Sequence, residues 1–228
     1  MGHHLRVRTI GIGAGGALPI TSFSDSFARA DQPFYVGNDW ATIMTAASTV
    51  AGVDLAGQLN VSANQLVFGS GGGGNLNGTR AIIYPATVDL PTVRTQSATR
   101  GEFSQYKVTF KAAGVDCEPG VAVFMNPNSS TCYWIDTQSE SGNAFIGRDL
   151  STTPLGAVFP IVLNDVVRLE AVLGGATNTV RAFVNGVLVQ TVVDNSALRP
   201  QVGGIFGMVF AGVFNGQVAV QDYSGGLL

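Results

Sequence analysis

The chain has 228 residues, of which 46% are hydrophobic and 12% are charged, and 30 are glycine. This composition excludes a disordered chain, and the length is enough for one hydrophobic core without covalent cross-links. The net charge of −3 and the lack of clustered lysine and arginine give no reason to expect nucleic acid or an anionic membrane as a partner. The sequence contains no run of about 18 apolar residues, which is the length that a membrane-spanning helix needs.

Residues 1–20 are interpreted as a short extended N-terminal arm, and residues 21–228 as a single folded domain. Apolar and polar residues alternate in part of the arm, as in a β-strand, and an extended segment of this kind can add to the edge of a partner's sheet. A frayed terminus is the alternative. The residues expected to dock are Leu5, Arg6, Val7, Arg8 and Ile10.

The two ends of the domain match each other. The segment from Phe23 to Asp31, followed by Trp40, opens it, and the segment from Val218 to Gly226 closes it. Both are interpreted as edge segments of one β-sandwich. The single candidate helix runs from Asp39 to Val50, where apolar residues recur at helical spacing, and a strand followed by a turn is the alternative.

Elsewhere short apolar runs alternate with clusters of Gly, Asn, Asp and Pro, which is typical of β-strands and turns. The clearest hairpin has an Asn185-Gly186 turn, since both residues tolerate positive φ. The absence of helix-sized crossovers predicts an all-β, antiparallel two-sheet sandwich. The predicted strands are 59–61, 65–68, 79–84, 105–111, 121–125, 132–136, 143–148, 166–173, 179–184, 187–193, 203–214 and 217–221.

The two cysteines, Cys117 and Cys132, bracket the hairpin that turns at residues 126–130. That turn places Cys132 opposite a residue near 124, and Cys117 then lies several residues beyond its partner position. Two thiols are therefore favoured, and a disulfide is the alternative.

No catalytic residues are predicted. The histidines are confined to His3 and His4 in the arm, so neither the cysteines nor any serine in the folded domain has an imidazole base. The glutamates do not form the Glu-x-Asp-x-x-Glu pattern of one family of sandwich hydrolases. Glu170 shares a strand face with Arg168, which favours a solvated ion pair over a catalytic acid.

No metal site or cofactor is predicted, because the sequence lacks the ligand spacing of a zinc site. Calcium is kept as an alternative, since it binds oxygen ligands in loops. Isolated Asp residues more often form turns by bonding their own backbone. The candidates in or beside turns are Asp136, Asp149, Asp165 and Asp194.

Tyr133 and Trp134 are the candidate carbohydrate-binding residues. Flat aromatic rings stack on sugar rings, and neighbours on a strand point to opposite faces, so one of the two is expected to point outward. Packing of both rings in the core is the alternative.

Several segments resemble the laminin-G-like, concanavalin A-like jelly rolls: residues 166–173, the hairpin 179–191, Asp194 and the glycine-rich strand 202–207. The opening segment with Trp40 resembles the start of phage minor tail proteins that carry this domain. The sequence departs from that pattern at residues 32–35 and in the glycine tract 69–74.

The resemblance implies a non-enzymatic structural protein of a phage virion, assembled in the host cytoplasm. As a minor tail protein it would dock on other virion proteins, form a homo-oligomer and adhere to a host cell-surface glycan, without membrane insertion. The alternatives are a capsid decoration protein, a free lectin-like carbohydrate-binding module and a glycoside hydrolase.

Overall fold

The structure is a computed structural model that describes residues 20–28, 32–33, 39–44, 59–63, 65–68, 80–111, 118–126, 131–138, 142–149, 151, 153–211 and 218–228. These residues form strands β1 to β16 and one helix, α1, which are arranged as two sheets packed face to face with the helix at one end.

The large sheet has nine strands, and every pairing in it is antiparallel. Strand β1 (Ser22–Asp25) pairs with β16 beside the main path. The other strands follow in spatial order: β14 (Val187–Asp194), β13 (Asn178–Val184), β12 (Val166–Val172), β7 (Glu102–Lys111), β16 (Val218–Leu227), β5 (Gln65–Phe68), β4 (Leu59–Ser62) and β2 (Gln32–Pro33).

The small sheet has seven strands, again with antiparallel neighbours throughout. The predicted all-β, antiparallel two-sheet sandwich is therefore confirmed. In spatial order the strands are β11 (Phe159–Pro160), β10 (Asn143–Arg148), β9 (Tyr133–Gln138), β8 (Glu118–Met125), β15 (Ile205–Ala211), β6 (Arg80–Pro85) and β3 (Trp40–Met44).

The core lies between the sheets and follows the alternation of the strands. In β12, Val167, Leu169 and Ala171 are buried, whereas Arg168 and Glu170 are partly exposed. Arg168 and Glu170 thus share one face of β12, as the sequence predicts. Every second side chain points to the same side of a strand, so one apolar set covers the core.

The two ends of the domain pair with each other in the structure. Strand β1 pairs with the end of β16, from Ser22 opposite Gly226 to Asp25 opposite Tyr223. The interpretation of the closing segment as a sheet edge is wrong, because β7 flanks β16 on one side while β5 and β1 share its other side.

Both predicted hairpins form. Asn185 and Gly186 have φ values of 51° and 79°, as the predicted turn requires. Pairing of Val123 with Tyr133 places Cys132 opposite Phe124, in the predicted register. Cys132 is buried, and Cys117 lies outside the described residues, so the state of the thiols stays a prediction.

The helix forms at a different place from the predicted one. Residues 40–44 of the candidate helix form β3, which pairs with β6, and residues 45–50 lie outside the described residues. Helix α1 (Leu90–Arg100) instead occupies the proline-marked segment. The Asp89 side chain accepts a hydrogen bond of 3.2 Å from Thr92 N, which caps the helix. No helix among the described residues is long and apolar enough to cross a membrane.

Candidate functional site

The outward faces of the two sheets differ in their exposure to solvent. Thr137 Oγ1 lies 3.1 Å from Tyr106 OH of the large sheet, so the Thr137 side chain points inward. Because side chains alternate along a strand, Trp134 and Asp136 of the same strand point outward. Even so, Trp134 and Asp136 are fully buried. Among the described residues of β14, β13, β12, β7 and β1, the outward side chains are partly or fully exposed, and we call this surface of the large sheet the open face.

The strand register places side chains of the open face in two adjacent rows. Each row crosses β14, β13, β12, β7, β16 and β1, a width of about 24 Å at the usual strand spacing of ~4.8 Å. The first row contains Thr191, Arg181, Glu170, Phe103, Gly226 and Ser22. The second row contains Leu188, Phe183, Arg168, Gln105, Ser224 and Ser24.

Arg168 organises the centre of the open face. Its Nε donates a hydrogen bond of 2.8 Å to Glu170 Oε1, and its Nη1 donates one of 3.2 Å to Gln105 Oε1. Its guanidinium carbon lies 3.9 Å from the centroid of the Phe103 ring. The predicted ion pair of Arg168 and Glu170 is therefore confirmed, with side chains that are 26% and 16% exposed.

This arrangement suits a polyhydroxylated ligand. The guanidinium and amide groups are held in place by their contacts with each other, so little side-chain entropy is lost when a ligand binds. The serines of β1 and β16 add hydroxyl groups that both donate and accept hydrogen bonds. At Gly226 a Cβ atom would lie 3.2 Å from Phe103 Cε1, which shows how closely this ring packs against β16.

Paired carboxylates of the kind used in glycoside hydrolysis do not occur in the two rows, where Glu170 is the one acidic residue. Glu170 forms an ion pair with Arg168. Asp222 is exposed at an irregularity in the pairing of β16 with β7, outside the rows.

One of the aromatic pair, Trp134, does point outward from its sheet, but neither ring is accessible to stack on a sugar, because both side chains are 0% exposed. Tyr133 points into the sandwich, where its hydroxyl donates a hydrogen bond of 2.9 Å to Asp194 Oδ2 and accepts one of 3.0 Å from Asn178 Nδ2. The alternative, that both rings pack in the protein interior, describes the structure.

Trp134 lies on the outward side of the small sheet, over two glycines of the neighbouring strands. A Cβ atom at Gly120 would lie 2.9 Å from Trp134 Cε3, and a Cβ atom at Gly147 would collide with Trp134 Nε1. The Phe145 ring meets the indole edge-on, with centroids 6.4 Å apart. No described residue accepts a hydrogen bond from Trp134 Nε1.

The loop carboxylates considered for calcium have protein partners. Arg148 Nη1 lies 2.9 Å from Asp194 Oδ2, and Arg148 Nε lies 3.3 Å from Asp149 Oδ2. Asp165 accepts hydrogen bonds from Val162 N and Asn185 Nδ2, at 2.8 and 2.6 Å, and so stabilises its own turn. Asp136 is buried on the small sheet. The described residues contain no group of three or more potential metal ligands.

The pKa values of Asp149 and Asp194, the two carboxylates in contact with Arg148, are shifted in opposite directions. Burial raises the pKa of Asp149 above its usual value, and Arg148 offsets only part of the effect. Burial also opposes ionisation of Asp194, but hydrogen bonds from Ser196 N, Arg148 and Tyr133 together hold its pKa below the usual value. Arg148 is in contact with both carboxylates.

A buried acid that the sequence did not single out is Glu102, at the start of β7. Its Oε2 accepts a hydrogen bond of 2.7 Å from Phe124 N. Burial raises its pKa to about 7, although hydrogen bonds from Phe124, Ser97 and Gly204 lower it in part. The sequence pattern could have located it: Glu102, Ser104 and Tyr106 are every second residue of β7, so Glu102 lies on the same inward face as the other two.

The predicted docking residues Leu5, Arg6, Val7, Arg8 and Ile10 lie outside the described residues, as do the glycine tract 69–74 and the turn at 127–130.

No protein-family model matches the sequence, and no curated protein matches it. Solved structures do match. An endo-1,3-β-glucanase from Streptomyces sioyaensis has a TM-score of 0.59 and 14% identity over 94% of this chain and 99% of its own. A β-1,3-1,4-glucanase from a mouse hindgut metagenome has a TM-score of 0.51 and 10% identity over 91% and 99%.

A mutant of the Emp46p carbohydrate recognition domain has a TM-score of 0.50 and 8% identity over 83% of this chain and 89% of its own. At these identities the likeness concerns the fold. The chain has the concanavalin A-like jelly-roll fold predicted from its sequence.

Proposed function

We propose that this chain is a non-catalytic carbohydrate-binding jelly roll that holds an extended polysaccharide across its open face. The observation that carries this proposal is the pair of side-chain rows centred on Arg168. They span about 24 Å, enough for several sugar units, and their central donors and acceptors are held in place by the contacts of Arg168. Two structures with the same fold are named as glucanases, and a third as a carbohydrate recognition domain. Those names support the proposed class of ligand.

Isothermal titration calorimetry with a panel of soluble polysaccharides tests this proposal by measuring their affinity for the protein. Arg168→Ala removes the group that connects Glu170, Gln105 and Phe103, and we expect it to weaken binding about tenfold or more. Arg100→Ala is the matched control, because Arg100 is exposed on α1 and bonds Leu228 O rather than the open face. Equal affinity of both variants, or no binding by the parent protein, contradicts the proposal.

The absence of catalysis is part of the same proposal. It is supported by the ion pair of Glu170 with Arg168 and by the single acidic residue in the two rows. Incubation with the same polysaccharides should release no reducing ends. Hydrolysis by the parent protein that is lost in Glu170→Gln would identify a glycosidase instead.

The second part of the proposal is a place in a phage virion, as a minor tail protein that adheres to a host cell-surface glycan. The specific observation in its favour is the opening segment, which resembles the start of such proteins and which, as β1 with Trp40, joins the two sheets. A capsid decoration protein is the alternative position.

Purified phage particles decide between these positions. Antibody labelling in electron micrographs is expected at the tail tip, whereas labelling of the head would indicate a decoration protein. Particles that contain no trace of the chain by mass spectrometry would contradict both positions, while leaving the carbohydrate site to its own test.

A further inference from the structure

One edge of the sandwich is apolar and open. Among the described strands, β14 pairs only with β13, so its outer edge presents unpaired backbone groups. Val187, Leu188, Val189 and Val193 of this strand are between 41% and 65% exposed. Exposed apolar strands of this kind readily pair with other chains.

The neighbouring loop extends the same surface. Gln190 Nε2 donates a hydrogen bond of 2.8 Å to Ala157 O, and Asn185 Nδ2 donates one of 2.6 Å to Asp165 Oδ1. These contacts hold residues 157–165 beside β14. The loop adds further exposed apolar side chains, which are Val158, Val162 and Leu163.

This edge lacks most of the features by which proteins protect a sheet edge from pairing. Residues 187–193 contain no charged residue and no proline. The pairing with β13 is irregular between Ala182 and Phe183, but it is regular from Gln190 to Asp194. About five residues of β14 therefore form a straight edge that can accept another strand.

We propose that residues 5–10 of a second copy of this chain add to β14 as an edge strand. This segment alternates, with Leu5 and Val7 on one side and Arg6 and Arg8 on the other. Its six residues are enough to cover the five residues of the regular part of β14. Once added, its arginines would supply the charge that a natural edge strand carries, so the sheet would end there.

The distance from the arm to β14 favours a second copy over the same chain. The described chain starts at Ile20 beside β1, which is separated from β14 by five strand spacings, or about 24 Å. Residues 11–19 include four glycines, and a flexible segment of this length spans roughly 17 Å on average and about 30 Å at full extension.

Docking within one chain would thus require nearly complete extension of that segment. A two-fold pair of copies removes this requirement, because each arm can start beside the partner's β14, and reciprocal exchange closes the assembly. The predicted oligomer is a dimer that is held by two added strands.

The test uses the full chain and combines molar mass with hydrogen exchange. Light scattering should give a dimer for the parent protein, with slow amide exchange in β14. Replacing Leu5 and Val7 by Asp, or Val193→Lys, should raise the dimer dissociation constant about tenfold or more and speed exchange in β14. Val202→Lys is the matched control, because Val202 is equally exposed but lies outside this edge.

Each other outcome overturns the proposal. A dimer that resists the change at Leu5 and Val7 but dissociates with Val193→Lys would mean that β14 pairs with the partner's β14. A monomer with slow exchange in β14 that becomes fast when Leu5 and Val7 are replaced would mean docking within one chain. A monomer with fast exchange in β14 would mean that the edge is unoccupied. Carbohydrate binding is measured separately and does not depend on these results.

Discussion

The indole Nε1 of Trp40 donates a hydrogen bond of 2.9 Å to the Asp25 carboxylate. Asp25 belongs to β1 in the large sheet and Trp40 to β3 in the small sheet, so this buried bond connects the two layers. The Trp40 ring also meets the rings of Phe23 and Tyr223, with centroids 5.0 and 4.9 Å away.

Replacing Asp25 by Ala should therefore lower the free energy of unfolding by about 2 kcal/mol or more. The change leaves Trp40 Nε1 and Phe27 N without this buried acceptor. Urea unfolding followed by tryptophan fluorescence measures the effect. In a Trp40→Phe background the same change should cost less, and an equal cost in both backgrounds would mean that the bond itself contributes little.

Gly147→Ala should destabilise the protein by about 1–3 kcal/mol, because the added methyl group collides with the indole of Trp134. Gly175→Ala is the matched control, since no atom lies within 4 Å of a Cβ built there. Thermal unfolding of both variants provides the comparison. A Trp134→Phe replacement should relieve part of the cost at Gly147, and similar melting temperatures for the two alanine variants would contradict the packing described.

Glu102 should make stability fall as pH rises from about 4.5 to about 7, because burial raises its pKa to about 7 in the folded protein. Between these values the unfolded chain has ionised Glu102 while the folded chain still holds the proton. The stabilisation by protonated Glu102 is complete below its pKa in the unfolded chain and is lost as the pH rises through its pKa in the folded protein. The free energy of unfolding should fall by about 3 kcal/mol over this range.

Glu102→Gln removes this titration. Denaturant unfolding across that pH range should show the variant gaining stability relative to the parent protein as pH rises. Parallel pH profiles for the two proteins would rule out a buried acid with a raised pKa at this position.

The burial of Tyr133 and Trp134 separates stability from carbohydrate binding. Tyr133→Phe removes the hydroxyl between Asp194 and Asn178 and should cost about 1 kcal/mol of stability. Its affinity for a polysaccharide should equal that of the parent protein, unlike that of Arg168→Ala. Calorimetry on the folded variant measures this affinity. A loss of polysaccharide binding in Tyr133→Phe would mean that the binding site includes Tyr133.

The fold could be read from the sequence to a large extent, because strand alternation and turn chemistry are local. The Asn185-Gly186 turn and the alternation of Val167, Leu169 and Ala171 each depend on a few neighbouring residues. The helix was missed although Asp89, Pro91 and Thr92 form a typical helix start. Residues 40–44 have a helical pattern but form a strand, because pairing with β6 outweighs a weak local preference.

The sequence by itself determined the two faces of each strand, and therefore the core and the antiparallel sandwich. Only the tertiary structure decided which outward face meets solvent. Trp134 and Arg168 both point away from the core, yet the first is fully buried and the second is partly exposed. Alternation assigns a side chain to one side of its sheet, whereas its exposure depends on segments far away in the sequence. For this reason the candidate site lies on the large sheet rather than at the aromatic pair.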